Sequence, residues 1–368
     1  MEEELPEEVD IAVVGTGLAA SIYACEYAKK GSTVLHVDSE REYGGDHRGY
    51  SLEELKSHRM VTSFYLAENG ESVFKGEKIE LSPFLFHTDS LFAEKIMANS
   101  VDRHIVLQSI DSVGVIQKDR DSFECISVPC SGEDVCGYDE GERAKLEFLL
   151  EVKDIEPETE SFEDFIDSFR FTEKTKNIVV YGMCLFSCEE AYREASTAEG
   201  LHRLYLFGGS IGRGSKTPFV YSLYGAADIS RGFCRRCAVY GGTYVLGQGV
   251  KFYGNKLLFG EAIVTAHKTF REKEAEEEVH TVILCYEEPS DRGSRLVFVP
   301  LDTFQGQKSV VTLTAITVNG VYLHYIQTKH TDESSELLDK MERVVSFDSH
   351  ARLVLRAETL RSPWWPPL

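Results

Sequence analysis

The sequence predicts an α/β protein in which a discontinuous domain with mixed β-sheets is interrupted by a smaller, inserted helical domain. Three observations lead to this fold class. The chain opens with a strand, a helix and a second strand; residues 144–206 then lose the strand pattern; and β-branched and aromatic residues alternate again from Gly208 onward. With 368 residues the chain is long enough for two domains.

The first strand, helix and second strand are predicted from three short segments within residues 11–38. IAVVG, residues 11–15, is a β-branched run that ends in glycine. Apolar side chains recur at helical spacing over residues 18–28, and Gly31 ends the predicted helix. STVLHVD, residues 32–38, is the second strand. Such a sequence predicts a parallel βαβ unit, the usual start of an α/β domain.

A segment rich in acid, cysteine and glycine, residues 130–143, separates this part from a run of predicted helices. The helical segments are AKLEFLLEVKD, SFEDFIDSF, TEKTKNIVVYGMCLFS and CEEAYREASTAEGLHRLYLF. We therefore assign residues 127–206 to the helical domain and residues 1–126 with 207–368 to the discontinuous domain. After Gly208 the pattern predicts strands, then a helix in DESSELLDKMERVV, a strand in RLVLRAE and a proline-rich SPWWPPL end.

Composition and charge narrow the class of partner. Hydrophobic residues make up 42% of the chain, which is typical of a globular protein. The formal charge is -22, from 61 acidic and 39 basic residues. Nucleic acid and anionic membranes repel such a field, so we expect no nucleic-acid partner and favour a basic protein. Improved solubility is the other explanation of the same charge.

The cysteines indicate a reducing compartment. They number nine, an odd count, and Met1 is followed by acidic residues rather than by a secretory leader. We expect a cytoplasmic protein with mostly free, buried thiols. Every apolar run is shorter than the roughly 18 residues of a membrane span, so membrane contact is expected to be transient and peripheral.

A glycine motif lies between the first strand and the first helix. Gly15, Gly17 and Ala20 fit the G-x-G-x-x-G/A pattern, and Asp38 ends the next strand, where dinucleotide-binding folds keep an acid for the ribose. The pattern supports a flavin or nicotinamide enzyme, or a scaffold that packs helix on strand without cofactor. LLFGEAIVTA offers only an approximate second flavin contact, because the residues after Glu261 predict a strand.

Cys234 and Cys237 in GFCRRCAVY have C-x-x-C spacing, but neither a second pair nor a histidine cluster follows at zinc-site distance. We expect no metal site here. Helical periodicity instead places Phe233, Cys237 and Tyr240 on one half-buried face and turns the two arginines between the cysteines outward. The stretch is therefore predicted to make contacts rather than to catalyse.

Several segments together resemble a known family. DIAVVGTGLAASI, VLHVDSEREYGGD, TPFVYSLYG and GFCRRCAVYGGTYVL are similar, in this order, to the Rab GDP-dissociation inhibitor and Rab escort protein superfamily. SIGRGSKTPF, VPCSGEDV and the two cysteines of GFCRRC resemble the escort branch more than the inhibitor branch. The resemblance implies a fold like that of FAD/NAD(P)-binding proteins, without bound cofactor and without catalysis.

The resemblance also implies a function. An escort protein binds Rab GTPases in the GDP form, presents them to the geranylgeranyl transferase heterodimer, and carries the isoprenoid-bearing product to membranes. The alternative within the superfamily is a Rab GDP-dissociation inhibitor that recycles prenylated Rabs. A flavin-dependent oxidoreductase is the alternative outside it.

Residues matching the family's Rab-binding motifs are Tyr43, Asp228, Arg235, Thr243 and Val245. The family usually has Glu-Leu-Pro-Gln where this chain has DISR, so Arg231 is a departure, and it usually has a larger apolar residue at the position of Val245. For the isoprenoid we expect a lining from the predicted helices. The candidates are Phe165, Phe169, Ile178, Val179, Met183 and Leu185, which an ordinary helical core would explain equally well.

Overall fold

The computed structural model describes residues 5–68, 70–119, 122–151, 160–259, 262–271, 278–286, 293–301, 303–304, 307–331, 333–344, 351 and 353–360. Its strands are β1 (Glu8–Val14), β2 (Val34–Asp38), β3 (Val61–Leu66), β4 (Leu85–His87), β5 (Leu107–Ser109), β6 (Ser112–Asp119), β7 (Ser122–Ser127), β8 (Phe219–Ser222), β9 (Thr243–Leu246), β10 (Lys251–Tyr253), β11 (Lys256–Phe259), β12 (Ala262–Arg271), β13 (Glu278–Tyr286), β14 (Arg295–Val299), β15 (Val311–Val318), β16 (Val321–Lys329) and β17 (Leu353–Leu360).

The helices are α1 (Leu18–Lys29), α2 (Leu52–Ser57), α3 (Gly70–Val73), α4 (Leu91–Ala98), α5 (Glu140–Leu150), α6 (Phe162–Ser168), α7 (Glu173–Asn177), α8 (Glu189–Glu194), α9 (Thr197–Ser210), α10 (Ala226–Val239) and α11 (Ser334–Val344). Short 3₁₀ turns cover Gly45–His47 and Asp134–Gly137, and a π-helical turn covers Ile178–Met183. The predicted βαβ start, the run of helices and the later strands are confirmed. SPWWPPL, Gly260 and Glu261 lie outside the described residues.

By its contacts the chain divides into two units. The first comprises residues 1–49, 91–107 and 222–274, and the second comprises residues 50–90, 108–221 and 275–368. The limits of these two units differ from the domain boundaries that we predicted at residues 126/127 and 206/207. Those boundaries stay a prediction.

The first unit is built on a six-stranded sheet with the order β10-β11-β12-β1-β2-β9. Strands β12, β1, β2 and β9 run parallel, with Ile11 beside Val34 and Leu35 beside Thr243. Strands β10 and β11 add an antiparallel hairpin at the other edge. The parallel centre is the βαβ arrangement expected from the sequence, and it places the ends of β1 and β2 side by side.

The second unit contains an eight-stranded sheet with the order β3-β17-β13-β16-β15-β14-β6-β7 and a three-stranded sheet with the order β4-β8-β5. Strand β13 shows how the large sheet is covered. Ile283 and Cys285 belong to one buried cluster together with side chains of α5, α6 and α9, whereas Val282 and Leu284 join another with side chains of α11. Because strand side chains alternate, one strand supplies both clusters.

Candidate functional site

The glycine turn after β1 is closed by contacts within the chain. Gly15 has a φ of 90°, which allows the backbone to turn into α1. The amide and hydroxyl of Thr16 both donate to Oδ2 of Asp38, at 2.7 and 2.6 Å. The amide of Glu40 donates to Oδ1 of Asp38 at 2.9 Å. The carboxylate that a ribose would need is buried and already accepts three hydrogen bonds.

The next loop seals the same turn. The amide of Gly44 donates to the carbonyl of Thr16 at 3.0 Å, and a Cβ on Gly45 would lie 3.2 Å from Cα of Gly17. A pyrophosphate needs close approach to the glycines of this motif. Here the chain's own loop makes that approach, so these residues do not fit a flavin or nicotinamide dinucleotide.

Helix α10 is the second part of this site. It follows Gly225, whose φ of 87° lets the chain turn into the helix. Its inner face buries Phe233, Cys234 and Cys237, and it packs on α1. The other side is exposed at Arg231, Arg235 and Val239. The predicted helix is confirmed. The cysteines are fully rather than half buried, because the inner face of α10 lies directly against α1.

The cysteine pair has the properties of a packed thiol pair. Oγ of Ser21 lies 3.2 Å from Sγ of Cys234, and the hydroxyl of Tyr244 donates to the Cys234 carbonyl at 3.0 Å. Burial raises the pKa of Cys234 to about 12 and also raises that of Cys237. All nine cysteines lie in the described residues and are free thiols. Thiols held protonated by burial are poor nucleophiles and poor metal ligands.

Arg236 corrects one expectation. We predicted that both arginines between the cysteines turn outward, but Arg236 is half buried. It donates to the hydroxyl of Tyr240 at 2.9 Å, and its guanidinium lies 5.1 Å from the ring centre of Tyr240. This stacking holds the end of α10 and leaves Arg235 as the exposed arginine of the pair.

Two predicted contact residues lie around Arg231. Its guanidinium is 3.1 Å from Oδ1 of Asp228, one turn earlier on α10. Burial raises the pKa of Asp228, and the charge of Arg231 opposes that rise. Burial also raises the pKa of Tyr43, which is half buried and meets Tyr244 edge to face with ring centres 6.1 Å apart. Arg231 therefore neutralises the charge that Asp228 would otherwise present.

Gly44 fixes the position of Tyr43 against α10. Its φ is 111°, and a Cβ at this position would lie 2.5 Å from the Cβ of Ala227. Glycine is therefore required for both the backbone conformation and the close approach. The loop and helix together define one surface, hereafter the α10 surface, formed by Tyr43, Asp228, Arg231, Arg235 and Val239.

Thr243 and Val245 are placed differently. Both are on the edge strand β9, where their side chains share the sheet face of Leu35 and Val37. Val245 is 8% exposed and packs in that core. Tyr244, which contacts Tyr43 and α10, points to the opposite face. The structure thus brings Tyr43, Asp228 and Arg235 together on α10 and its loop, and it places Thr243 and Val245 on the other side of the strand.

Sequence reasoning did not single out Val239, which is 65% exposed and lies two turns after Arg231. The i, i+4, i+8 spacing of Arg231, Arg235 and Val239 was the available signal. An exposed apolar side chain beside two arginines is typical of a protein-contact surface.

The candidate isoprenoid residues divide into two groups. Ile178, Val179 and Met183, in the π-helical turn, are 0% exposed, and Leu185 is 6% exposed. Phe165 and Phe169 are half buried, and their ring centres are 5.2 Å apart. The first group forms closely packed core, and the second reaches the surface.

The two half-buried phenylalanines belong to an aromatic row that sequence reasoning identified only in part. Phe148 on α5 lies 5.9 Å from Phe169 between ring centres and is 47% exposed. Phe171 stacks on Phe169, with ring centres 5.4 Å apart. We use the term aromatic row for Phe148, Phe165, Phe169 and Phe171. The first and last of these come from separate segments, so periodicity within one segment could not find them.

A cavity of about 720 Å³ lies beside the π-helical turn. Its lining includes Val180, Tyr181 and Leu301, but also charged side chains such as Glu163 and Lys176. Within the described residues, none of the six candidate isoprenoid residues lines this cavity. A charged lining disfavours a long hydrocarbon chain.

Known proteins resemble this chain in sequence. Residues 138–277 match the GDP dissociation inhibitor family. The Drosophila melanogaster protein named Rab proteins geranylgeranyltransferase component A is 26% identical over 289 residues, which cover 68% of this chain and 55% of that protein. The Rab GDP-dissociation inhibitor of Pyricularia oryzae is 26% identical over 267 residues, which cover 67% of this chain and 57% of that protein. The resemblance expected from the sequence is confirmed, and the chain spans just over half the length of these relatives.

Solved structures give the same fold. A crystal structure of a Rab GDI from Plasmodium falciparum has a TM-score of 0.79 at 16% identity, covering 96% of this chain and 90% of that chain. An oxidoreductase from Methanosarcina mazei has a TM-score of 0.63 at 13% identity, covering 96% of this chain and 88% of that chain. These likenesses confirm the predicted fold class. Across the described ranges, no helix combines the length and apolar character needed to cross a lipid bilayer.

Proposed function

We propose that this chain is a non-catalytic binding protein for Rab GTPases in the GDP form, and that the α10 surface makes the contact. The observation that carries the proposal is the contrast between the two sides of α10. On the inner side, α10 packs on α1, and the glycine turn before α1 is closed by contacts among Asp38, Thr16 and Gly44. On the outer side, charged and apolar side chains are exposed to solvent, while the inner face of the same helix is buried.

Arg235 is the strongest candidate for a direct contact. Arg231 pairs with Asp228, but among the described residues no carboxylate pairs with the exposed Arg235. An available guanidinium can donate charge-assisted, bidentate hydrogen bonds to acidic or carbonyl groups of a partner. On the same surface, Tyr43 supplies a rigid aromatic side chain of the kind that dominates interface energies.

The same contacts supply nucleotide selectivity. The switch segments of a GTPase are ordered differently with GDP and with GTP. A rigid surface that fits the GDP arrangement binds that form more tightly, and it slows nucleotide exchange while it is bound. The α10 surface is rigid because Phe233 and Cys237 are buried beneath it and Gly44 lies against Ala227.

For the isoprenoid tail, the aromatic row is the accessible candidate. Burying a hydrocarbon chain contributes about 0.8 kcal/mol per methylene, so a long prenyl group represents on the order of 10 kcal/mol. Phe165 and Phe169 can contact such a chain directly from their half-buried positions. Ile178, Val179, Met183 and Leu185 form the core beneath and reach the lipid only if the surrounding helices part.

The finer role we propose is that of an escort protein, which presents Rab to geranylgeranyl transferase and contacts membranes transiently in the cytoplasm. The escort-like SIGRGSKTPF and VPCSGEDV segments support it. Recycling of prenylated Rabs is the alternative, supported by the similarity to the Pyricularia oryzae inhibitor.

The test begins with purified protein and a panel of unprenylated Rabs loaded with GDP or a non-hydrolysable GTP analogue. We expect binding to the GDP form and weaker binding to the GTP form. An absorbance spectrum of the same preparation checks for flavin. Indifference to every Rab, or a stoichiometric flavin, contradicts the proposal.

A prenylation assay with the transferase heterodimer then separates the two finer roles. An escort protein supports transfer of geranylgeranyl to Rab-GDP. A chain that binds prenylated Rab but does not support transfer is an inhibitor of the recycling type.

A further inference from the structure

Three side chains of types that can ligate a metal ion lie close together at the large sheet of the second unit. Strand β13 lies between β16 and β17, and His280 on β13 is directly opposite Glu358 on β17. His330 immediately follows the last residue of β16. One nitrogen of each histidine and a carboxylate oxygen of Glu358 all lie within 4.8 Å of one another. Strands β13 and β17 and the residue that follows β16 thus bring two imidazoles and one carboxylate together.

A hydrogen-bond chain fixes the tautomer of His280. The hydroxyl of Ser334 donates to the carbonyl of Thr331 at 2.6 Å, and Nδ1 of His280 lies 2.7 Å from the same Ser334 oxygen. A serine hydroxyl has one hydrogen and a carbonyl oxygen only accepts, so Nδ1 of His280 is the donor toward Ser334. In neutral His280 the lone pair is therefore on Nε2.

That lone pair faces a carboxylate. Nε2 of His280 lies 3.4 Å from Oε1 of Glu358. Two acceptor atoms at this separation repel each other unless a proton or a metal ion lies between them; a proton on Nε2 makes the pair an ion pair, and a metal ion makes it two ligands. In a tetrahedral zinc site, metal–ligand bonds of about 2.0–2.1 Å place neighbouring ligand atoms about 3.3 Å apart. The separation between Nε2 and Oε1 matches that edge.

We propose that this chain binds one Zn²⁺ through Nε2 of His280, an imidazole nitrogen of His330 and the carboxylate of Glu358. Ser334 acts as a positioning residue, because it holds the proton of His280 on the nitrogen that does not bind the metal. Two imidazoles and one carboxylate suit a transition metal, whereas Mg²⁺ and Ca²⁺ require more oxygen ligands. Water completes the fourth position.

The site is accessible and has a structural consequence. Nε2 of His280 is buried, but His330 and Glu358 are exposed, so an ion can reach the site from their side. The bound ion ties β13, β16 and β17 together beside the start of α11. Because the unfolded chain does not bring these residues together, Zn²⁺ raises the melting temperature of the folded protein.

The test uses the full chain, stripped with a chelator and then titrated with Zn²⁺, and with Co²⁺ as a spectroscopic probe. We expect one ion per chain, visible absorption bands from tetrahedral Co²⁺ and a higher melting temperature with Zn²⁺. Mg²⁺ is expected to produce neither effect. Absence of stoichiometric Zn²⁺ binding overturns the proposal and leaves His280 and Glu358 as a simple ion pair.

Variants locate the site. His330→Ala, at an exposed position outside the strands, is expected to weaken Zn²⁺ binding by more than about tenfold without unfolding the apo protein, and Ser334→Ala by about tenfold. His267→Ala is the matched control, because His267 lies 3.1 Å from Glu8 in a similar histidine–carboxylate pair in the first unit. Zn²⁺ binding that survives His330→Ala, or that is lost in His267→Ala, contradicts the assignment.

Discussion

The α10 surface and the helical segment from α5 to α9 both contain residues predicted to contact a partner. They differ in how far those side chains are exposed to solvent. On α10 the predicted contact residue Arg235 is exposed, and buried side chains such as Cys237 lie on the inner face of the same helix. In the helical segment, the predicted contact residues Ile178 and Met183 are themselves fully buried in the core. Because exposure is what differs between these residues, we expect exposure rather than apolar character to separate contact residues from core residues on an amphipathic helix.

The largest loss of stability is expected for substitutions of the fully buried residues in the helical segment. Met183→Ala removes a fully buried side chain and should lower the free energy of unfolding by about 2–5 kcal/mol. Phe165→Ala, at a half-buried position, should cost less. Chemical denaturation of both variants measures the difference. If Met183→Ala retains full stability but loses isoprenoid binding, Met183 lines a lipid pocket. That result would contradict its assignment to the core.

The next effect concerns the contact between the Tyr43 loop and α10. Gly44→Ala combines an unfavourable positive φ with a Cβ only 2.5 Å from that of Ala227, and we expect a loss of about 1–3 kcal/mol in stability together with weaker Rab binding. Gly31→Ala is the control in the same unit, since Gly31 has a φ of 91° but no atom within 4 Å of the added Cβ. Equal losses in the two variants would show that crowding against α10 contributes nothing.

The aromatic row gives a prediction about lipid. Phe148→Ala should reduce the preference for prenylated over unprenylated Rab by about tenfold, or about 1.4 kcal/mol. The control is Tyr205→Ala on α9, because Tyr205 has a similar exposure of 43% against 47% for Phe148. Titration of both Rab forms measures the preference. A loss in the Tyr205 variant alone would place the lipid elsewhere.

The smallest effect is expected for the thiols beneath α10. Because burial raises the pKa of Cys234 to about 12, its thiolate fraction at neutral pH is negligible, and Cys237 is also fully covered. We expect alkylating reagents at neutral pH to modify the exposed Cys136 and to leave Cys234 and Cys237 unmodified, as measured by mass spectrometry. Rapid modification of Cys234 in the folded protein would mean that α10 opens and is not a rigid support.

The sequence allowed the opening unit to be predicted well, for a physical reason. Gly15 has a positive φ that favours glycine, and Asp38 stands at the end of the second strand, so their spacing predicted the turn and the strand end. That the Gly44 loop covers this turn was not predicted. The inner side of α10 was predictable from periodicity. Its depth of burial was not, because it depends on the packing of α1, which is more than 200 residues away in the chain.

Other features depend on contacts that periodicity does not record. The core position of Val245 follows from the pairing of β9 with β2, and the aromatic row joins Phe148 to Phe171 across separate segments. His280, His330 and Glu358 converge only because β13 pairs with both β16 and β17. Residues brought together across strands in this way have no fixed spacing in sequence, so no motif could reveal them.

Arg235→Ala tests most directly whether the outer side of α10 binds GDP-loaded Rab. We expect this variant to fold normally and to raise the Kd for Rab-GDP by more than about tenfold, because a charge-assisted hydrogen bond contributes about 1.5–3 kcal/mol. Arg143→Ala, an exposed arginine paired with Glu147 on α5, is the control and should leave the Kd unchanged. An unchanged Kd for Arg235→Ala, measured with the same Rab-GDP, would contradict the account.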